Sequence, residues 1–299
     1  MNNDRYAHWP RPSRQPIEWP NGARLALWVA PNIEHYPLDN PWTGLNPSKH
    51  IPDVIATTAA DYGNRVGLWR LTEILDKHGI RATVALNSDV CRYEPEIIEA
   101  GIARNWEWMG HGRTNAVRLV DIPPDDELAT IQDVIKTIGD ATGTPPKGWF
   151  APSRMYNMRS LDLLAQSGII YVADWSADDL PFPLRVETGR MISVPCVGVS
   201  DGTVFRTANW TGEQFCQLIC DQFDVLYEEA QSNGVMMAIV LHPYLSGHAH
   251  RAKWVDRALT HITGHKDIWL TTGGEIAEWF YERYYDNALL VSPLPDPLA

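Results

Sequence analysis

The chain has 299 residues and a formal net charge of −12, from 25 lysines and arginines against 37 aspartates and glutamates. This acidic balance argues against a protein that binds nucleic acid by neutralising phosphates, and against one that binds an anionic membrane. Hydrophobic residues make up 44% of the chain, but no apolar run approaches the roughly 20 residues that a membrane helix needs. The start of the chain lacks the apolar segment of a signal peptide, so we expect a cytoplasmic protein with reduced cysteines.

The first 22 residues are rich in proline and polar groups, which predicts an extended arm before a single catalytic domain at residues 23–299. An apolar segment with strand propensity follows at residues 24–33. After it, a polar loop with four prolines is expected from about residue 35 to residue 58. Loops of this length in compact domains are often functional.

From residue 66 onward, short apolar strands alternate with helical patterns. Helices are expected at residues 66–79, 95–105, 123–143, 158–168, 211–234, 252–265 and 274–286. Strands are expected at residues 80–87, 106–112, 147–152, 169–175, 191–197, 235–244 and 267–272. This alternation implies parallel strands flanked by helices, and the apolar run at 236–241 fits a sheet that is buried on both faces. We therefore predict an α/β fold in which the strands form a barrel.

Unusual polar residues stand at the ends of five predicted strands. In chain order they are Glu34, His111, Arg154, Asp174 and His242. In a parallel α/β barrel the catalytic groups lie at the carboxyl ends of the strands. We therefore expect these five side chains to converge on one site.

The charged candidates each have a functional and a structural interpretation. Glu34 is either a metal ligand or general base, or a solvated loop carboxylate. Arg113 and Arg154 would orient a carbonyl or carboxylate of a substrate, or they are ordinary surface cations. Asp174 would orient His242, or it holds a loop together.

The two histidines are weighed in the same way. His111 stands between two glycines, which allow a substrate to approach the backbone closely, although a histidine there could simply end a strand. His242 ends the most apolar strand of the chain, where a histidine is either an acid–base group or a hydrogen-bonded core residue.

The segments NIEH, EWMGHG, GWFAPSR, YVADWSADDLPF and LHPYLSGHAHRAK, in this order, resemble the NodB-type polysaccharide deacetylase family. The resemblance spans about residues 20–285, and it is greater to the branch that contains cyclic imide hydrolases and metal-independent allantoinases. It implies a distorted (β/α)7 barrel, a hydrolase and a homo-oligomer, such as a tetramer. Carbohydrate-active members hold zinc or a similar metal with an aspartate pair and a His-x-x-x-His pair, and use a late-strand histidine as general acid.

By position, the resemblance makes Glu34 the carboxylate of the first motif, His111 the first histidine of the pair and His242 the late-strand histidine. This chain departs from the pattern in two places: strand one has no aspartate pair, and Asn115 replaces the second histidine. Asparagine is a weak substitute for imidazole at zinc. The resemblance thus implies either a divalent metal on Glu34, His111 and Asn115, or no metal.

The activity predicted from these residues is hydrolysis of a small cyclic amide, imide or ureide. Glu34 would activate water, His111 with Arg113 would face the developing oxyanion, and His242 would protonate the leaving nitrogen. One alternative is a metal-dependent deacetylase that acts on an N-acetylated sugar or small amide. Another is a binding protein without catalytic activity on a deacetylase scaffold.

Aromatic residues supply a further expectation about the site. The chain has 13 tryptophans against 6 phenylalanines, and part of this excess is expected to build a small pocket for a planar ring. Tyr156 and Trp175 would form flat walls of that pocket, or they pack in the core.

Overall fold

The computed structural model describes residues 4–39, 51–196 and 198–291, together with Leu294. Within these residues the strands are β1 Leu25–Ile33, β2 Thr83–Leu86, β3 Glu107–Gly110, β4 Gly148–Trp149, β5 Tyr171–Val172, β6 Phe182–Leu184, β7 Met191–Ser193, β8 Val235–Leu241 and β9 Ile268–Leu270. The helices are α1 Val54–Tyr62, α2 Leu68–Lys77, α3 Val90–Tyr93, α4 Pro95–Ala103, α5 Pro124–Thr142, α6 Ser160–Gln166, α7 Gly212–Glu229, α8 Pro243–Ser246, α9 Ala249–Thr263, α10 Gly273–Arg283 and α11 Tyr285–Val291.

The strands form one sheet in the order β6-β7-β5-β4-β3-β2-β1-β8, and β9 pairs with the first part of β1. All pairs are parallel except β6 with β7. Every residue of β1 and β8 is buried, as expected for strands that are covered on both faces. The predicted α/β fold, a distorted (β/α) barrel, is confirmed.

The segment that follows β7 meets β8 at a seam of the sheet. One isolated parallel bridge crosses this seam, between Ser200 and Val240. There the Val240 N–H donates to the carbonyl oxygen of Val199 at 3.0 Å. The segment that follows β7 therefore reaches the carboxyl end of β8 without forming a continuous ladder with it.

Helix α1 lies before the first helix that the sequence predicts, and it shortens the predicted loop. The proline-rich segment was expected to remain a loop to residue 58, but α1 begins at Val54, where the Asp53 side chain accepts a hydrogen bond from the Ala56 N–H at 2.9 Å. An aspartate cap satisfies a free N–H at the start of a helix. The apolar residues of α1 did not by themselves indicate a helix. Residues 40–50 of that loop lie outside the described residues.

Two glycines between α1 and α2 bring these helices against the loop after β8. A Cβ atom at Gly63 would lie 2.7 Å from the backbone nitrogen of Tyr244, and one at Gly67 would lie 2.1 Å from the carbonyl oxygen of Pro243. Glycine is thus required for this approach. The contact fixes α8, which directly follows His242, at the carboxyl end of the barrel.

The N-terminal arm packs along the barrel, with short helical turns at Arg11–Ser13 and Pro20–Gly22. Trp19 is buried, and its indole N–H donates to the carbonyl oxygen of Val235 at 2.7 Å. The division of the chain at residue 22 into an arm and a catalytic domain stays a prediction. Among the described helices, none has the length and apolar character needed to cross a bilayer. All four cysteines are free thiols.

Candidate active site

Glu34 directly follows β1 and is only 6% exposed. The apolar strand carries this carboxylate into the carboxyl end of the barrel, where most of its surface is shielded from solvent. A buried charge of this kind requires partners of opposite charge or hydrogen-bond donors. Its position at a strand end is the one that the sequence predicts.

Two imidazoles supply those partners. His111 follows β3, and its Nε2 lies 3.3 Å from Oε1 of Glu34. His242 follows β8, and its Nε2 lies 3.7 Å from the same oxygen. The three predicted residues from three different strands therefore meet at one carboxylate oxygen, Glu34 Oε1.

Electrostatics favour an ionised Glu34. Burial by itself raises the pKa of this carboxyl, but the charges of His242 and His111 and the hydrogen bond from His111 outweigh it, so the pKa lies below its ordinary value. Burial likewise lowers the pKa of His242, but the carboxylates of Asp201 and Glu34 more than offset it, and the pKa is raised. The pair thus favours a carboxylate beside an imidazolium.

The orientation of His242 is set by Asp201, which is completely buried. The ring Nδ1–H donates to Oδ1 of Asp201 at 2.6 Å, and the backbone N–H of His242 donates to Oδ2 at 2.7 Å. The hydroxyl of Ser246 also donates to Oδ2, at 2.6 Å. These contacts point Nε2 of His242 towards Glu34, and they fix the tautomer of the ring.

His111 is held by the backbone of the neighbouring strand. Its Nδ1–H donates to the carbonyl oxygen of Phe150, and the two rings lie 5.6 Å apart. The carbonyl oxygen of His111 in turn accepts a hydrogen bond from the side chain of Asn87. The Nε2 atom of His111 is therefore the one that faces Glu34 and the cavity.

A second network supports the other oxygen of Glu34. The buried Tyr36 hydroxyl donates to Oε2 of Glu34, and the Asn115 side-chain amide donates to the Tyr36 oxygen at 2.8 Å. The Asn64 amide donates to the Glu34 carbonyl oxygen at 3.0 Å. The carboxylate is consequently held through Oε2, and Oε1 faces the two histidines.

These residues open into a cavity of about 320 Å³. Its lining includes the polar or charged residues Asn32, Glu34, His111, Asn115, Ser153, Arg154, Ser200, Thr203, Arg206, Thr207 and His242. The volume is at the small end of the range for small-molecule sites. The cavity therefore suits a compact ligand with several polar groups.

A divalent metal was implied by the resemblance, and the donor set agrees with one. Glu34 offers a carboxylate oxygen and His111 an imidazole nitrogen whose ring is oriented from the other side, as is usual for metal-binding histidines. Oδ1 of Asn115 is buried and has no hydrogen-bond partner among the described residues. An unpartnered oxygen beside a carboxylate and an imidazole fits a cation such as zinc, although amide oxygen is a weak zinc ligand.

Asp174 does not contact His242, so its assignment as the orienting carboxylate is wrong. Its oxygens accept hydrogen bonds from the Ala151 N–H, at 3.0 and 3.2 Å, and from the Tyr156 hydroxyl. Burial raises the pKa of Asp174 to about 6. Asp174 thus holds the loop after β4, which is the structural alternative weighed from the sequence.

Three predicted substrate-binding residues also have other contacts. Arg113 is mostly exposed, and its Nε donates to both oxygens of Asp89 at 3.2 Å. Tyr156 and Trp175 pack edge to face, with ring centroids 6.5 Å apart, and neither lines the cavity. Arg113, Tyr156 and Trp175 are not among the residues that line this cavity, whereas Arg154 is.

No tryptophan among the described residues lines this cavity, so the tryptophan-walled site that the sequence predicts is not found here. Trp28 and Trp149 are completely buried in the barrel, and Trp106 and Trp108 line a separate cavity at the amino ends of the strands. Most of this tryptophan excess therefore builds the core. Phe150 is the phenyl ring in the wall of the site.

Sequence reasoning missed Asp201 and Tyr36. Asp201 belongs to the sequence Ser-Asp-Gly, which is typical of a turn and gave no sign of a catalytic partner. One signal was present in the sequence: the segment follows a predicted strand, as the other site residues do. Tyr36 lies two residues after Glu34, within the segment that was interpreted as loop.

Comparison with known proteins finds a family model and two proteins that are similar to this chain in sequence. Residues 50–172 match the family model for polysaccharide deacetylase. A protein of Schizosaccharomyces pombe described as "Putative polysaccharide deacetylase" is 24% identical over 300 residues, which cover 89% of this chain and 93% of that protein. A peptidoglycan deacetylase of Helicobacter pylori is 22% identical over 277 residues, which cover 81% of this chain and 92% of that enzyme.

Among solved structures, the crystal structure of PuuE allantoinase superposes with a TM-score of 0.81. The sequences are 22% identical, and the superposition covers 90% of this chain and 95% of the allantoinase. At this level of identity the similarity shows the fold alone.

Proposed function

We propose that this chain belongs to the polysaccharide deacetylase family, hydrolyses carbon–nitrogen bonds other than peptide bonds, and opens a small cyclic amide, imide or ureide ring. The observation that carries the proposal is the position of Glu34 Oε1, between two imidazoles and within a cavity of about 320 Å³. A base and an acid that line the same small cavity are what hydrolysis of a compact ring requires. The similarity to an allantoinase fold supports the choice of a ring.

The base in this reaction is Glu34. Its ionised form accepts a proton from water, and the oxygen of that water attacks the ring carbonyl carbon. Tyr36, whose oxygen accepts a hydrogen bond from Asn115, holds the other carboxylate oxygen, so Oε1 keeps a fixed position during the transfer. Fixed geometry reduces the entropic part of the barrier.

The carbonyl oxygen gains negative charge as the C–O bond forms. His111, whose Nδ1–H is fixed by Phe150, faces the cavity through Nε2 and interacts with this developing charge. A divalent metal bound by Glu34, His111 and Asn115 would stabilise it by polarising the carbonyl.

The leaving nitrogen takes its proton from His242. Asp201 holds Nδ1–H, so the acidic proton lies on Nε2, on the cavity side. The C–N bond then breaks as nitrogen is protonated, and the ring-opened product has a new carboxyl group. One proton has moved from water to Glu34 and another from His242 to nitrogen. Return of the Glu34 proton to Nε2 of His242, 3.7 Å away, restores the starting carboxylate and imidazolium.

A turnover screen on succinimide, hydantoin, allantoin and N-acetylglucosamine tests the proposal, together with elemental analysis of the purified protein. We expect ring opening of at least one cyclic probe, lost in the Glu34→Gln variant. Deacetylation of the sugar alone, with a stoichiometric metal and loss of activity to a chelator, would overturn it.

A metal-dependent deacetylase is the second candidate. It is favoured by the family match at residues 50–172 and by the unpartnered Oδ1 of Asn115. The same screen separates the two functions, because a deacetylase releases acetate and leaves cyclic probes intact.

A further inference from the structure

Arg154 occupies an unusual turn at the edge of the cavity. Ser153 and Arg154 both have a φ of 56°, in the left-handed region that residues with a side chain rarely adopt. Consecutive residues of this kind persist where the surrounding structure requires them, often at functional sites. Here Asp174 accepts hydrogen bonds from Tyr156 and Ala151 on either side of the turn.

The turn places the Arg154 guanidinium over Phe150, with its central carbon 5.4 Å from the ring centroid. The side chain makes no hydrogen bond or ion pair with any other described residue, and it lines the cavity. A guanidinium that stacks on an aromatic face keeps its in-plane N–H donors available. Its planar fork is therefore free to bind a ligand in the cavity.

Arg206 provides a second cation at the same cavity. It lies in the helical turn Thr203–Thr207, and its Nη1 donates to the hydroxyl of Tyr244 at 3.1 Å. The Tyr244 ring packs edge to face against His242, with centroids 5.7 Å apart. This hydrogen bond holds the guanidinium near the proposed acid.

The charges of the lining are unbalanced. Glu34 is the acidic residue among the described residues that line the cavity, and His111 already contacts its Oε1. Asp174 acts electrostatically on Arg154, but its oxygens are used by Tyr156 and Ala151. In a chain of net charge −12, the described lining of this cavity thus has two guanidinium groups and one carboxylate.

We propose that the ring opened in this cavity has a carboxylate substituent, which Arg154 binds with the help of Arg206. The guanidinium fork matches the two oxygens of a carboxylate, with paired and directional hydrogen bonds. This inference rests on the proposed ring-opening function and adds a substrate class to it. The carboxylate also orients the ring, so that its carbonyl faces Glu34 and its nitrogen faces His242.

Matched probes that differ in the carboxylate test the proposal. Dihydroorotate is compared with dihydrouracil, and hydantoin-5-acetate with 5-methylhydantoin, through kcat and KM. We expect the acidic member of at least one pair to have a kcat/KM at least tenfold higher. In Arg154→Gln we expect KM for that acid to rise at least tenfold, with KM for the neutral probe unchanged within about twofold and only partial loss in Arg154→Lys.

The outcomes separate this inference from the proposed function. Ring opening without preference for the acidic probe, or an equal effect of Arg154→Gln on both members, would overturn the carboxylate site and leave ring opening intact. If no ring is opened, the proposed function fails, and calorimetry with succinamate still tests the site. Binding that is at least tenfold weaker in Arg154→Gln than in the wild type supports it, and equal binding overturns it.

Discussion

Two glutamates lie at opposite ends of the same sheet, and their surroundings shift their pKa values in opposite directions. Glu34 follows β1 at the carboxyl ends of the strands, where His111 and His242 lower its pKa below the usual value. Glu107 begins β3 at the amino ends, and its partners are neutral donors: the Tyr171 hydroxyl at 2.8 Å, the Gly274 N–H at 2.9 Å and the Thr83 hydroxyl at 3.1 Å. Burial raises the pKa of Glu107.

The comparison teaches that partners, more than burial, decide what a carboxylate does. Both glutamates line a cavity, but Glu34 has two titratable rings beside it, so it can exchange protons. Glu107 joins β2, β3, β5 and the start of α10 through its hydrogen bonds, so it holds one end of the barrel together. This agrees with the general division of α/β barrels into a catalytic end and a stabilising end.

The largest expected difference is in catalysis. Glu34→Gln should lower kcat for ring opening by about 10²- to 10⁴-fold, because the amide cannot accept the proton of water. Glu107→Gln is the matched control, and we expect its kcat to stay within about twofold. Both are measured at saturating substrate after circular dichroism confirms folding. Similar losses in the two variants would mean that the contrast between the ends is wrong.

A second comparison, at the catalytic end, is between Asp201 and Asp174. Asp201→Asn should lower kcat by roughly 10²-fold, because His242 loses the anionic acceptor that orients it and stabilises its protonated form. The basic limb of the pH–rate profile should move to lower pH, since the pKa of His242 falls. Asp174→Asn should leave that limb in place, because Asp174 does not contact His242. A shift of equal size in both variants would contradict this assignment.

Metal affinity should respond to one side chain at the catalytic end. Asn115→His adds an imidazole beside Glu34 and His111, and should raise the affinity for Zn²⁺ by roughly one order of magnitude or more. Calorimetry with ZnCl₂ measures it, with Asn115→Ala as the control that removes the oxygen ligand. An unchanged affinity in Asn115→His would show that this side chain does not face the cation.

The smallest expected effects are on stability, and their signs are opposite. The folded-state pKa of Glu107 is raised, so its contribution to stability is complete below the unfolded pKa and is lost as pH rises through the folded pKa. For Glu34 the folded-state pKa is lowered, so its contribution is present above the unfolded pKa and is lost as pH falls. Urea unfolding of the wild type and both Gln variants, between pH 4 and 7, measures this. Slopes of the same sign would refute it.

The sequence was sufficient for the barrel and for three of the central residues. Apolar strands that alternate with amphipathic helices predict parallel pairing, and parallel pairing brings the residues at strand ends together. For this reason Glu34, His111 and His242 could be placed in one site before any distance was known. The carboxylate that orients His242 could not, because both Asp174 and Asp201 follow strands and only their three-dimensional placement separates them.

The same limit applies to the aromatic residues and the arginines. A tryptophan beside a strand end can face the core or the cavity, and a shift of one residue reverses the face. Arg113 and Arg154 were equivalent in the sequence, yet Arg113 pairs with Asp89 and Arg154 lines the cavity. The left-handed turn at Ser153 and Arg154 contains no glycine, so the sequence does not indicate it.

The seam at Ser200 and Val240 has a consequence for hydrogen exchange. The segment around Asp201 is joined to β8 by one backbone bridge, so local opening there breaks fewer hydrogen bonds than opening a paired strand. Its amide protons should exchange faster than those of β1 and β8. A ligand held by His242 and Arg206 would connect β8 to this segment, and the same amides should then become protected. Exchange at residues 198–207 would therefore report occupancy of the cavity without any turnover.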